Sequence, residues 1–470
     1  MSEPRIIILG AGPAGLGAAY QLHRLGRGHA TVLEQHTVVG GNAASFELDG
    51  LPVDYGSHRL HPACHPEILA DIRRFLGPDL LDRPRHGRIH LRGRLIHFPL
   101  TPVDLLLRLD PAFGAASLWD MAAKPFRRRV GGDSFADVLL ANLGPTICHD
   151  FYFPYARKIW GRDPGELSGI QARRRVSAGS FGKLIRKVLN AVPGFRPAGS
   201  GRFFYPRQGF GQIAAAYGEA AVRAGARVEL GARVTSLIPR PEGGWRVVAE
   251  RNGERVDCEG DFLWSTIPIT VLARSLEGSP ETVRAASERI SYRAMLLVYL
   301  HLELQQFTEY DAHYFPDASI RITRLSEPKN YSARAEPRGR TILCAELPCE
   351  ADDERWRMSP EALGRLVAED LARAGLALPR PASGVTVRRL RQAYPIYLNG
   401  YEEPFDTLDR WASAQPGLLS FGRQGLFAHD NTHHALAMAY AAVDCLGPTG
   451  FDQGRWTGYR EAFATHVVED

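Results

Sequence analysis

The stretch Ile6-Ile7-Ile8-Leu9-Gly10-Ala11-Gly12-Pro13-Ala14-Gly15 decides the fold. An apolar run opens into three glycines spaced G-x-G-x-x-G, and a helical pattern follows at Leu16, Ala19, Tyr20, Leu22 and Leu25. A second apolar run, Ala30-Thr31-Val32-Leu33, ends at Glu34. A dinucleotide site needs this order: a buried parallel strand, a tight turn, a close backbone approach to a pyrophosphate, and a helix whose free N–H groups face the anion. Gly10 is expected to allow the turn, Gly12 the close approach, and Gly15 the packing of helix on strand. Glu34 is placed to accept hydrogen bonds from a ribose hydroxyl, and its charge disfavours a 2′-phosphate. A glycine-rich turn in some other α/β unit is the bland alternative. Strand before, helix after and an acid at the right distance argue against it.

The rest of the composition sets bounds. The 470 residues, with 44% apolar content and 23% charge, describe a globular chain of two or three domains or one large discontinuous one. The net charge of +5 comes from a basic side that is nearly all arginine, with lysine only at 124, 158, 183, 187 and 329. Arginine forks suit phosphate and carboxylate, so a small anionic partner is expected. The charge is too small and dispersed for nucleic acid. Six scattered cysteines form no C-x-x-C pair, and a reduced, cytoplasmic protein is the simplest expectation. The N-terminus enters the first strand directly, so no signal peptide is expected. No apolar run reaches the roughly 20 residues of a spanning helix. Ala294-Met295-Leu296-Leu297-Val298-Tyr299-Leu300, the longest, reads as a buried strand.

Immediately after Glu34 comes Val39-Gly40-Gly41-Asn42-Ala43-Ala44-Ser45. Glu34 through Ser45 resembles the FAD signature of the flavoprotein group that includes amine oxidases, protoporphyrinogen oxidase, phytoene desaturases and UDP-galactopyranose mutase. The resemblance implies a noncovalent FAD touched by Gly41 and Asn42. Ala232-Arg233-Val234 resembles the strand whose backbone meets the adenine, which puts Val234 at the cofactor. Phe421-Gly422-Arg423 with Asp430-Asn431 and a closing helix resembles the C-terminal motif that holds pyrophosphate and ribityl chain, which adds Gly422, Arg423 and Asn431. The expected fold is α/β: a Rossmann-like FAD-binding domain in pieces, 1–65, 200–290 and 396–470. A helix-rich insert over 66–199 and a strand-rich substrate-binding segment over 291–395 are expected to build the pocket.

The amine-oxidase branch generally carries a lysine near the flavin, about where Ser291-Tyr292-Arg293 lies, and none stands between Lys187 and Lys329. Other segments resemble UDP-galactopyranose mutase. Asp54-Tyr55-Gly56-Ser57-His58 is similar to its flavin-proximal histidine segment. Tyr155-Ala156-Arg157-Lys158-Ile159-Trp160-Gly161 is similar to its uridine-holding segment. Ile322-Thr323-Arg324-Leu325-Ser326-Glu327-Pro328-Lys329 is similar to its phosphate-binding arginine segment, and Tyr394-Pro395 to its phosphate-binding tyrosine.

The resemblance implies His58, Arg324 and Tyr394 as catalytic residues, and Tyr155, Trp160, Arg174, Arg324 and Tyr394 at the substrate. Ala156 stands for the usual threonine, residues 427–429 depart from the mutase run, and the mobile-loop arginine has only Arg173, Arg174 and Arg175 as neighbours in sequence. The plainer readings are a core role for Tyr155, Trp160 and His58, and a solvated helix face for the three arginines. His429, His433 and His434 lack a carboxylate to complete a metal site, so no metal is expected. Two activities stay open: a mutase-like isomerase on a sugar nucleotide, and an FAD-dependent oxidoreductase. A homodimer stays open as well.

Overall fold

Ile6, Ile7, Ile8 and Leu9 are buried because their strand, Arg5–Leu9, lies at the centre of a parallel sheet. The computed structural model describes residues 3–98, 108–124, 132–175 and 201–468. In the five-stranded sheet the order is Leu418–Ser420, Phe262–Ser265, Arg5–Leu9, His29–Glu34 and Arg227–Leu230, all parallel. Strands covered on both faces read as continuous apolar runs, which is why the first one was so legible. The pieces come from both ends and the middle of the chain, so the dinucleotide fold is discontinuous.

The helix Pro13–Arg24 packs on this sheet and is buried from Ala14 to Leu22. It lies between the helices Gln212–Arg223 and Thr432–Asp444. Leu25, read from the sequence as part of its apolar stripe, is instead the cap residue and 47% exposed.

The second layer is a seven-stranded mixed sheet in the order Gly384–Ile396, Ser291–Leu302, Thr341–Cys349, Arg324–Ser326, Ala312–Tyr314, Gly87–Leu91 and Arg94–Phe98. The strand Ser291–Leu302, second in this order, carries Ala294–Leu300 wholly buried, as the sequence predicts. Two features correct the expected division. The hairpin 87–98 lies inside the span read as helix-rich, yet supplies two edge strands to this sheet through the parallel pairs His313↔Arg88 and Tyr314↔Ile89. The helix Pro360–Arg373 lies inside the span read as strand-rich and covers the sheet with Leu363, Leu366, Val367 and Leu371. The parts of the insert at 99–107, 125–131 and 176–200 lie outside the described residues.

The hairpin brings His90 against His313, with Nε2 of the first 3.0 Å from Nδ1 of the second. Burial pushes the imidazoles down, to about 4 for His90 and about 3 for His313, where His90 adds to the effect. In the unfolded chain both titrate near 6.5. Below that value the unfolded state binds more protons, so stability is full above about pH 6.5 and falls as pH drops towards 4 and 3. Urea midpoints across this window are expected to fall with acid, and the pair His90→Gln with His313→Gln is expected to flatten that slope. An unchanged slope in the double variant contradicts the assignment.

Candidate flavin and substrate site

One cavity of about 750 Å³ runs from the glycine-rich turn to the second sheet. At one end it is lined by Gly10, Gly12, Glu34, Gly41 and Asn42, with Arg423 and Asn431 across from them. Gly12 is the N-cap of the helix Pro13–Arg24, and a Cβ there would meet nothing within 4 Å. Asn431 is the N-cap of the helix Thr432–Asp444, whose first residue also lines the cavity. Two helix N-termini therefore open on one space, each with unsatisfied N–H groups and the positive end of its dipole.

Gly15 is not on the wall. A Cβ there would stand 2.0 Å from the Gly10 carbonyl oxygen, so its role is the close seating of helix on strand. Gly422, at φ +81, lies against Ala14 in the same way.

Glu34 lines the cavity, and its carboxylate already accepts the Ala11 and His36 N–H groups at 2.9 Å each. It thus pins the glycine turn as well as facing the space where a ribose would lie. Val234 does not line the cavity. Its strand turns the side chain to a core that includes Ile7, Leu9 and Leu33.

The other end is built of arginine and tyrosine. Arg324 stands at the start of its strand opposite Glu346 and forks onto that carboxylate, Nε at 2.9 Å and Nη2 at 2.8 Å. Burial opposes the guanidinium charge, but Glu346 together with Tyr394, Tyr314 and Tyr155 outweighs it, so Arg324 stays charged. The Glu346 carboxylate also accepts the Ser57 N–H at 2.9 Å. Tyr155 does not line the cavity but stands behind Arg324, its hydroxyl in the field of Arg324, Tyr314, Glu346 and Tyr394; burial raises its pKa and keeps it protonated. Tyr394 lies between two guanidinium groups, Arg175 at 4.9 Å and Arg423 at 5.5 Å from its ring centre.

His58 also lines the cavity and stacks on Phe210 at 5.3 Å. Its Nε2 lies 3.0 Å from the Tyr55 carbonyl oxygen. A carbonyl only accepts, so Nε2 carries the proton and Nδ1 keeps its lone pair. Burial holds this imidazole below its usual range, hence neutral. Asp54, fixed by Ser45, Tyr205 and the Phe210 N–H, anchors the segment that carries it.

Two further substrate expectations are corrected. Trp160 packs in a core with Phe135 and Ala172 and stands behind the wall, its ring 6.4 Å from that of His429 and 6.0 Å from the Arg175 guanidinium, both of which line the cavity. Arg174 bonds the Tyr397 hydroxyl at 3.1 Å; its neighbour Arg175 is the one on the wall, donating to His429 Nδ1 at 3.2 Å. The fold supplies the carboxylate that local sequence lacked: Asp430 lies 3.7 Å from His434 Nδ1 and 3.5 Å from His466 Nδ1. His434 Nδ1 already accepts the Asn431 N–H at 3.2 Å, and its ring stacks on His466. The group reads as a buttress between the tail and the closing helix.

Glu346 escaped the sequence reading. Its signal was present: a lone carboxylate in the otherwise uncharged buried strand Thr341–Cys349. A buried charge requires a partner, and here the partner is Arg324.

Paired helix N-termini, an open glycine cradle and a ribose-side acid along one cavity fit FAD, and they define a dinucleotide-dependent enzyme of the flavoprotein class. The flavin-containing amine oxidoreductase family matches residues 13–441, and the chain belongs to that family. It is an FAD-dependent flavoenzyme. A putative flavin-containing monoamine oxidase, AofH, of Mycobacterium tuberculosis is 28% identical over 54% of this chain and 59% of its own length. A phytoene dehydrogenase of Streptomyces griseus is 26% identical over 56% of this chain and 55% of its own length. The chain thus spans little more than half the length of these relatives.

Among solved structures, a reduced UDP-galactopyranose mutase superposes with a TM-score of 0.82 at 21% identity, covering 99% of this chain and 100% of that one. A putative protoporphyrinogen oxidase from Exiguobacterium sp. 255-15 gives 0.71 at 20% identity over 94% and 98%. These likenesses establish the shared fold.

Proposed function

We propose that this enzyme acts on a small anionic substrate, with a nucleotide-linked sugar as first choice, by mutase-like flavin-centred chemistry. The observation that carries the reading is the arginine wall. Among the described residues, eight arginines line the cavity, against Glu34 and Asp430 as its only acids. Glu34 is held by backbone N–H groups, and Asp430 lies between two imidazoles and in the field of Arg423. A cationic amine would face like charge; a diphosphate would find forks.

Bound FAD supplies the reacting ring, which can act either as electron acceptor or as covalent catalyst. The chain's residues do the rest. Arg324, oriented by Glu346, takes the substrate anion on the edge of its guanidinium not used in the fork. Tyr394 donates a hydroxyl hydrogen bond beside it, and Tyr155 stands behind Arg324. His58 Nδ1 can accept a proton, and burial keeps it in the neutral form that can do so. Arg175, rather than Arg174, closes the anion site from the opposite wall. The reading places the enzyme in the cytoplasm, consistent with six free cysteines.

The fold shared with the mutase supports the sugar-nucleotide choice. Family membership, and the monoamine oxidase and phytoene dehydrogenase among its relatives, support a second reading: an FAD-dependent oxidoreductase on a small molecule. Titration of the flavin spectrum separates the ligand classes. A uridine diphosphate is expected to perturb it with salt-sensitive affinity and putrescine to leave it unchanged. The reverse result overturns the anionic assignment.

A further inference from the structure

The helix Pro111–Ala122 buries Phe113 against the hairpin 87–98 and leaves an apolar second face outward. Its two polar side chains, Ser117 and Asp120, are buried, and Asp120 accepts the Thr146 N–H at 2.8 Å. Every position of this helix described as exposed is apolar, with Leu118 at 48% and Trp119 at 74%. A helix facing water has the opposite pattern.

The hairpin 87–98 adjoins it, with the Arg92 guanidinium 5.2 Å from the Phe113 ring centre. Leu95 on that hairpin is 37% exposed. Three of the six large exposed hydrophobics among the described residues thus sit on one helix and its neighbouring hairpin. The surrounding segments carry Arg92, Arg94, Arg108 and Lys124, against Asp110 and Asp150.

We propose that this face docks the enzyme, without crossing, on an anionic lipid surface. The helix has 12 residues and is too short to span a bilayer, and no helix among the described residues is long and apolar enough to do so. An apolar face with a tryptophan and a cationic surround suits a helix lying in the headgroup plane. A second copy seated on the same face would bring two cationic surrounds together, which disfavours self-association.

The test is co-sedimentation of the FAD-loaded enzyme with vesicles of phosphatidylcholine alone and of phosphatidylcholine with phosphatidylglycerol. Binding is expected to the second and to weaken with salt. The double substitution Leu118→Ser with Trp119→Ser, at exposed positions, is expected to keep the melting temperature and lower vesicle partition by about tenfold or more. Arg94→Glu is a second variant that leaves the apolar face intact and is expected to weaken binding to anionic vesicles. No binding to anionic vesicles, or equal binding by wild type and both variants, overturns the proposal. So does a dimer in sedimentation velocity that the double substitution dissociates while vesicles are ignored.

Discussion

Gly15→Ala is expected to yield a protein that no longer retains FAD. The new Cβ would stand 2.0 Å from the Gly10 carbonyl oxygen, a backbone atom that cannot rotate away. The helix Pro13–Arg24 must then lift off its strand, and overpacking of this kind costs about 1–3 kcal/mol or more. The lift also moves the N–H groups that face the cavity. Gly12→Ala is the informative contrast. Its Cβ meets no protein atom within 4 Å, so the apo-protein is expected to melt as wild type does, yet the methyl group stands in the cradle. Flavin absorbance retained through gel filtration, with melting temperatures of the apo forms, checks both. Equal FAD retention by Gly15→Ala and wild type contradicts the packing argument.

Arg324→Ala is expected to lose substrate affinity and stability together. Charge-assisted forks to an anion contribute about 1.5–3 kcal/mol, so binding of a nucleoside diphosphate should weaken by about tenfold or more. The substitution also strands Glu346, only 4% exposed, with the Ser57 N–H as a remaining partner. Removing one member of a buried pair costs about 3–5 kcal/mol. The double substitution Arg324→Ala with Glu346→Ala removes the stranded charge. It is expected to recover much of the melting temperature while leaving ligand binding weak. Loss of FAD in the double variant would instead make Arg324 a cofactor residue.

The sequence carried the cofactor end of the site further than the substrate end. Gly10, Gly12, Glu34, Gly41 and Asn42 lie on adjoining turns of one βαβ unit, so local spacing fixes their relation. Arg423 and Asn431 come from the far end of the chain but sit in a recognisable strand–turn–helix. The substrate end assembles from a helix in the insert and separate strands of the second sheet. Which of Arg173, Arg174 and Arg175 faces the cavity depends on how a seven-residue helix, Gly169–Arg175, docks on Tyr397 and His429. Helical spacing alone assigns three faces to three consecutive residues and leaves the choice to packing. The place of Trp160 depends on packing in the same way. The rotation of the helix Phe153–Trp160 puts the indole among Phe135 and Ala172, behind Arg175 and His429. The hairpin 87–98 was missed because its strands are five residues each; only the sheet edge it joins gives it a place.

The central claim is that a basic, arginine-walled cavity beside FAD works on an anionic sugar nucleotide. The most direct measurement is product analysis after incubation with sugar nucleotides, anaerobically, with and without dithionite. The account predicts an isomeric sugar nucleotide formed only by the reduced enzyme, with no net change in flavin oxidation state. Bleaching of the oxidised flavin by an amine, with no isomer from any sugar nucleotide, would contradict it.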